Sequence, residues 1–341
     1  MAEELDLFST VFYFISRYEE WQDFVPDAHQ RFEAKSSILF IHRIHLAPMV
    51  DIWIQQFKQK IQNHFVNIHL PAAQFKLIST IDIDNVFAFQ SKGFIRTIGA
   101  FAKDILKFDF RNFKERFKVV FLNRKDPFDI YEEIGQFCSK LNIPLIYFFL
   151  FKTATKYDRT LNPNSKGILR VFKLIHQTKA LIGLHPSYHA AFNKQDFNYE
   201  KELLENKAEQ KINFSRQHFL RFDIKTTPKI IMEANIKADF TMGFASESGF
   251  RAGTSFPFYY YNFETETKTD LLMVPFCTMD GVYTVYQKQS AQEALQSILN
   301  MANEIKKVGG YFISVYHERS FYNHLYKDYG DLYKKIHQAL K

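Results

Sequence analysis

Two acidic residues, Asp82 and Asp84, lie near the end of the segment Lys76–Asn85, which reads K-L-I-S-T-I-D-I-D-N. The apolar residues of this segment are typical of a buried β-strand. If the strand continues to its end, both carboxylates point to the same face, because side chains two positions apart share a face. Such a pair needs a metal, a cation or a shared proton. The pattern predicts a functional site here, with a solvated acidic turn as the alternative.

Polar residues also follow four later apolar segments that we predict to be strands. His185 follows A-L-I-G-L, Arg216 follows K-I-N-F-S, Asp239 lies in I-K-A-D-F-T, and His317 follows Y-F-I-S-V-Y. Sites in parallel α/β folds lie at the carboxyl ends of the strands. We therefore expect these side chains to converge on one pocket with the acid pair.

The segment G-L-H-P-S-Y-H contains two histidines with a spacing that suits a metal site. Pro186 favours the first turn of a helix, which would place His185 at the N-cap and His189 one turn later on the same side. Two imidazoles and a carboxylate form a metal site with open positions for water. The alternative is that His189 turns outward.

Other polar residues suggest proton chemistry and substrate contacts. Arg216 can reach an acid on a neighbouring strand and keep it ionised. His317 is suited to a general acid because histidine titrates near neutrality. Asp239 either pairs with His317 and raises its pKa or caps the turn at Thr241. His218 either contacts ligand or is an ordinary polar surface residue.

The bulk composition indicates a globular α/β protein. The 341 residues are 46% hydrophobic and 24% charged, which excludes a disordered chain. The formal charge is +7, but Lys and Arg alternate with acids and aromatics, so a solvated surface is favoured over nucleic-acid binding. Cys138 and Cys277 lack metal-type spacing and are expected to be reduced core residues. No leader or membrane span is apparent, so we expect a cytoplasmic protein with no membrane partner and an oligomeric state that the sequence does not define.

The order of elements predicts two regions. Residues 1–75 form a mostly helical flanking region, and residues 76–341 alternate strand and helix in six βα units, which indicates a parallel sheet in a barrel or a doubly wound fold.

The motifs resemble those of the polysaccharide deacetylases, carbohydrate esterase family 4. The order acid pair, H-x-x-x-H, Arg, Asp and V-x-H resembles the five family motifs over about residues 76–320. T-I-D-I-D-N, G-L-H-P-S-Y, S-R-Q-H-F-L-R, G-F-R-A-G-T-S and the N-terminal S-R-Y-E-E resemble a bacterial subgroup described as polysaccharide deacetylase-like. The resemblance implies an irregular (β/α) barrel of about seven parallel strands and a divalent metal, most often zinc. It implies Asp84, His185 and His189 as the metal ligands.

The same resemblance implies Asp82 as the catalytic base, bonded to Arg216, and His317 as the acid, tuned by Asp239. The function implied is removal of N-acetyl groups from an amino-sugar-containing oligo- or polysaccharide. An O-deacetylase and a catalytically impaired carbohydrate-binding protein on the same fold are the alternatives.

Three departures from the family pattern bear on these roles. Ile83 separates acids that are adjacent in the family, so base and metal ligand could be exchanged. Leu220 stands where the Arg motif normally has Pro, and the segment 243–289 is long. That segment contains G-F-R-A-G, where flanking glycines let a backbone approach closely, so Arg251 is a candidate substrate contact or part of an ordinary turn. The predicted substrate contacts are Arg251, His218 and Tyr188.

Overall fold

The fold is mixed α/β and is built around one nine-stranded sheet, in a computed structural model that describes residues 6–65, 67–152 and 155–341. The strands alternate with helices through most of the chain, as the sequence pattern predicts. The strands are β1 Lys76–Ile83, β2 Leu145–Leu150, β3 Leu181–His185, β4 Phe214–Ser215, β5 Ala238–Asp239, β6 Phe258–Asn262, β7 Thr267–Met273, β8 Thr278–Met279 and β9 Tyr311–His317.

The helices flank the sheet and form the N-terminal region. The α-helices are α1 Leu7–Ile15, α2 Tyr18–Trp21, α3 Ile38–Ile41, α4 Met49–His64, α5 Phe94–Leu106, α6 Phe110–Phe121, α7 Tyr131–Lys140, α8 Lys166–Thr178, α9 Lys194–Ala208, α10 Thr227–Glu233, α11 Ala291–Val308 and α12 Tyr329–Leu340. Short 3₁₀ helices cover Ala34–Ser36, Ala190–Phe192, His218–Leu220 and Glu318–Phe321, and a π-helical turn covers Val282–Tyr286.

The strand order is β6-β7-β5-β4-β3-β2-β1-β9-β8, and every pair is parallel except β6 with β7. The predicted parallel α/β class is therefore confirmed, but the prediction of about seven strands in a barrel is met only in part. The sheet has nine strands because the long segment 243–289 contributes β6, β7 and β8. The ladder also does not join β6 to β8 within the described residues.

The sheet is strongly curled. Arg216, next to β4, donates from Nη1 to Asp82 on β1 at 2.7 Å, although β3 and β2 lie between those strands. In a flat sheet the two strands would be about 14 Å apart. The chain also crosses the open side between β7 and β8, where Val274 N donates to Asp239 O at 2.8 Å and Cys277 N to Ile313 O at 3.3 Å. The sheet is thus a half-barrel whose open side is covered by backbone.

The N-terminal region packs against the segment 243–289. Val50 N donates to Gly253 O at 2.9 Å, and the Asp51 carboxylate accepts from Thr254 and Ser255. Helices α1 to α4 lie in this region, of which residues 1–5 and 66 are outside the described residues. A mostly helical flanking region that ends at residue 75 stays a prediction. Within the described ranges, no helix is both long and apolar enough to span a membrane.

Candidate active site

The carboxyl ends of the parallel strands surround a cavity of about 430 Å³. β1, β3 and β9 deliver polar side chains to it because each is an apolar strand that ends in a polar residue. The titratable residues in its wall include Asp82, Asp84, His185, His218, His317 and Arg319. Of the side chains expected to converge from separate strand ends, Asp82, Asp84, His185 and His317 line this cavity, whereas Arg216 and Asp239 do not.

Three acceptor atoms face one another in this cavity. His185 Nε2 and His218 Nε2 each lie 3.5 Å from Asp84 Oδ1. The three groups offer ligand atoms that all lie within 4.8 Å of one another. Asp84 Oδ1 is buried and has no hydrogen-bond partner among the described residues. An unpaired buried carboxylate oxygen is costly unless a ligand satisfies it.

The contacts behind the two imidazoles fix their protons away from Asp84. His185 Nδ1 lies 2.6 Å from the Arg216 carbonyl oxygen, and His218 Nδ1 lies 2.9 Å from Asp158 Oδ1. Because a carbonyl and a carboxylate only accept, each Nδ1 carries a proton, and in the neutral imidazole that a metal requires each Nε2 then presents a lone pair. Two lone pairs and a carboxylate oxygen at one point repel unless a cation binds between them. These residues therefore fit a divalent metal ion.

The charge states of the group also suit a metal. Burial lowers the pKa of His218, which favours the neutral imidazole that a metal requires. Burial by itself would raise the pKa of Asp84, but the Arg319 guanidinium opposes it, and that pKa lies well below its usual value. Arg319 forms an ion pair with Asp84 Oδ2, which leaves Oδ1 for the ligand.

His189, the predicted partner of His185, lies elsewhere. Residues 186 and 187 have no regular structure, residues 188 and 189 form a turn, and the first helical residue is Ala190. His189 is exposed to solvent. The spacing argument required a helix beginning at Pro186, and that helix does not form. His218, which we had expected to contact substrate, takes the position beside His185 and Asp84.

The predicted pairing of Asp82 with Arg216 is present. Arg216 Nη1 donates to Asp82 Oδ1 at 2.7 Å, and its Nε donates to the Phe240 carbonyl at 2.9 Å. Both residues are buried, and Asp82 Oδ2 lies 3.9 Å from His185 Nε2. Asp82 therefore lies beside the three acceptor atoms, but none of the three belongs to it.

His317 is paired with Asp280 and not with Asp239. Its Nδ1 lies 2.7 Å from Asp280 Oδ1, and its backbone N–H donates to the same carboxylate at 2.7 Å. Burial and Arg319 lower the pKa of His317, but Asp280 outweighs them and raises it. Asp239 instead accepts from Ser215 Oγ at 2.7 Å and from Thr241 N at 2.9 Å. The alternative that Asp239 caps the turn at Thr241 is the one observed.

The other two predicted substrate contacts do not line the cavity. Arg251 is 1% exposed, and its Nε and Nη2 donate to the two Glu20 carboxylate oxygens at 2.8 and 2.6 Å. The glycines beside it serve close packing and not ligand approach. Tyr188 is buried under Arg221, whose guanidinium lies 3.9 Å from the ring centroid. Its hydroxyl lies 2.9 Å from His29 Nδ1.

Four acidic or basic residues of the site were missed. Glu318, which accepts from the backbone N–H groups of Asp84 and Asn85, and Arg319 directly follow His317, so the strand-end criterion extended by two residues finds both. Asp280 follows β8 and would have been found if that short strand had been recognised. Asp158 lies in a loop and has no local sequence signal.

Comparison with known proteins gives limited support. A family model described as a family of unknown function (DUF7033) matches residues 2–66. No curated protein matches the chain. Among solved structures, a proposed polysaccharide deacetylase from Mycobacterium smegmatis matches at 11% identity and a TM-score of 0.49, covering 80% of this chain and 86% of that one.

Two further solved structures match at similar levels. A proposed polysaccharide deacetylase from Pseudomonas aeruginosa PAO1 has 10% identity and a TM-score of 0.46, covering 78% of this chain and 85% of that one. A CE4 family pseudoenzyme from Bacillus anthracis has 10% identity and a TM-score of 0.35, covering 78% and 63%. These sequence identities and TM-scores assign neither a family nor an activity to this chain.

Proposed function

We propose that this protein is a metal-dependent hydrolase that removes N-acetyl groups from an amino-sugar-containing oligo- or polysaccharide. The observation that carries the proposal is the group of three facing atoms, Asp84 Oδ1, His185 Nε2 and His218 Nε2, with both Nδ1 atoms bonded to acceptors so that the neutral imidazoles direct their Nε2 lone pairs toward Asp84. Two imidazoles and one carboxylate suit zinc and leave coordination positions open. The resemblance of the motifs to carbohydrate esterase family 4 supports the N-acetyl substrate.

The residues around that group divide the remaining chemistry. A bound divalent ion would act as a Lewis acid on the acyl oxygen and lower the pKa of a water. Asp82, held by Arg216, accepts the proton of the attacking water. His317 donates a proton from Nε2 to the departing amine, because Asp280 on Nδ1 favours its protonated form. Acetate and a free amino sugar result.

One observation favours a second candidate, a carbohydrate-binding protein without turnover. Arg319 already forms an ion pair with Asp84 and so neutralises part of the charge that would attract a metal. If that pair persists in solution, the cavity binds sugar without hydrolysing it. Metal content separates the two candidates.

The test is elemental mass spectrometry on protein purified without a histidine tag. We expect near-stoichiometric zinc in the wild type and in His189→Ala, and loss of zinc in His218→Ala. His189→Ala is the matched control because it removes an exposed imidazole from the same region. A wild type that stays metal-free in excess zinc, or equal metal in all three proteins, would contradict the proposal. Acetate release from N-acetyl and O-acetyl sugars then distinguishes the amidase from an O-deacetylase.

A further inference from the structure

The segment 91–125, here called the basic hairpin, carries a charge that the rest of the chain lacks. It contains helices α5 and α6 and lies between β1 and α7. It has ten Lys and Arg residues against three Asp and Glu residues, whereas the formal charge of the whole chain is +7. The remaining residues are therefore balanced, and the net positive charge of the protein is confined to the basic hairpin.

The basic hairpin also exposes an unusual amount of apolar surface. The exposed fractions reach 81% for Phe94, 86% for Ile95, 80% for Leu106 and 78% for Phe108. Other large apolar residues of the basic hairpin that are exposed are Ile98, Ile105, Phe110, Phe117, Phe121 and Leu122. Proteins that expose such contiguous surface generally use it for an interaction.

On α5 these residues follow the helical repeat. Ile95, Ile98, Ala102 and Leu106 recur at the spacing that places side chains on one face of a helix. Lys103 and Lys107 adjoin this face. The helix is therefore amphipathic, with an apolar face that is largely exposed to solvent.

The basic hairpin is a folded surface and not a loose loop. The Asp126 carboxylate accepts the backbone N–H groups of Ala88, Phe89 and Gln90 at 2.8, 2.8 and 2.9 Å, which joins the two ends of the hairpin. Arg116 Nε donates to Asp104 Oδ2 at 2.8 Å, which joins the two helices. The exposed apolar side chains are thus presented in a fixed arrangement.

We propose that the basic hairpin docks onto an anionic lipid bilayer. Bulky aliphatic and aromatic side chains beside lysines and arginines bind the interface of a membrane, where the apolar face enters the acyl region and the cations meet lipid phosphates. A second copy of this chain would oppose one set of cations to another. A nucleic acid would match the charge but would not bury Ile95, Ile98 and Leu106.

Docking would also place the cavity beside the membrane. The basic hairpin leaves the carboxyl end of β1, where the cavity opens, and Lys92 Nζ donates to Asn85 Oδ1 at 3.0 Å. Asn85 lines the cavity. This proposal departs from the sequence-based expectation of no membrane partner, which rested on the absence of an apolar run long enough to span a bilayer. It does not depend on the proposed hydrolase activity.

Vesicle co-sedimentation of the full chain tests the proposal. Vesicles of phosphatidylcholine with a quarter phosphatidylglycerol should sediment the protein, pure phosphatidylcholine should not, and salt should weaken binding. The triple variant Ile95→Ser, Leu106→Ser, Phe108→Ser should lose about tenfold or more in affinity. Lys103→Gln and Lys107→Gln should each cost about fivefold.

The matched control is Val25→Ser, which removes an apolar side chain that is 80% exposed outside the basic hairpin and should leave binding unchanged. Circular dichroism and thermal melting establish that each variant is folded. The proposal would be overturned if the wild-type protein does not bind anionic vesicles, or if a folded triple variant binds them as tightly as the wild type does. Self-association by light scattering that the triple variant abolishes would overturn it too, by assigning the surface to a second copy.

Discussion

Two buried clusters of charge differ in how completely their hydrogen bonds are satisfied. The N-terminal cluster consists of Arg17, Glu19, Glu20 and Arg251, and the pocket cluster consists of Asp82, Asp84, His185, Arg216, His218, His317 and Asp280. In the N-terminal cluster Glu20 accepts from both arginines, and Arg17 also bonds Glu19 and the Arg251 carbonyl. In the pocket cluster Asp84 Oδ1 and Arg216 Nη2 are buried without a partner among the described residues.

The difference separates architecture from function. A buried ion cluster with every group paired holds two segments together and has no capacity left for a ligand. A buried cluster with an unpaired acceptor in the wall of a cavity, such as Asp84 Oδ1, has that capacity. Arg251 illustrates the first case and Asp84 the second, although both looked like candidate ligand contacts in the sequence.

The largest expected effect concerns His317, the proposed general acid of the pocket cluster. Asp280→Asn removes the negative charge that raises the pKa of His317. A raised pKa keeps the His317 imidazole protonated until the pH rises through that pKa. In the variant, His317 should therefore lose its proton at a lower pH. We expect hydrolysis near neutrality to fall about 10²- to 10⁴-fold and the alkaline limb of the pH–rate profile to move to lower pH. Asp239→Asn, the matched control, should leave that limb in place. If the alkaline limb moves in Asp239→Asn and not in Asp280→Asn, then Asp239 and not Asp280 raises the pKa of His317.

The N-terminal cluster should respond in stability and not in metal binding. Arg251→Ala leaves Glu20 with less compensation in a buried position, which should cost about 3–5 kcal/mol of unfolding free energy. Denaturant unfolding measures this, and metal content of the folded fraction should stay at the wild-type level. Loss of metal without loss of stability would show that the two clusters are not distinct in function.

An intermediate effect is expected at Asp158, which lies against His218 Nδ1 on the side away from Asp84. Asp158→Asn replaces the carboxylate that fixes the His218 tautomer, so zinc affinity should fall about 10- to 100-fold. Competition with a chelator measures the affinity. Asp196→Asn is the control, because that carboxylate pairs with Lys152 outside the cavity. Equal affinities for the two variants would remove Asp158 from the site.

The smallest effect is expected at an exposed ion pair. Glu115 pairs with Lys118 at 2.9 Å and with Arg124 at 3.1 Å on the surface of the basic hairpin. Glu115→Gln should change the unfolding free energy by about 1 kcal/mol or less, because solvent screens such pairs. A loss as large as that of Arg251→Ala would contradict the distinction between buried and exposed charge.

The sequence by itself determined the residues that stand at the strand ends. Asp82, Asp84, His185 and His317 each follow an apolar run directly, and local patterning is enough to place such a residue at the edge of a parallel sheet. The helices with strong apolar periodicity were predicted for the same reason. The strands β6 to β8 and helix α6 were not predicted. β8 has two residues and is too short to show a period, whereas Phe110, Phe113, Phe117 and Phe121 of α6 follow a helical repeat that would have predicted it.

Only the tertiary structure decided which of these residues meet. The partners Asp280 and Asp158 come from segments far from the histidines they bond, and their positions depend on the curl of the sheet. His218 reaches Asp84 through a turn in which Phe219 and Leu220 have φ of 59° and 54°, a left-handed conformation that non-glycine residues rarely adopt. Long-range packing imposes that turn, so no local pattern could have exchanged His189 for His218.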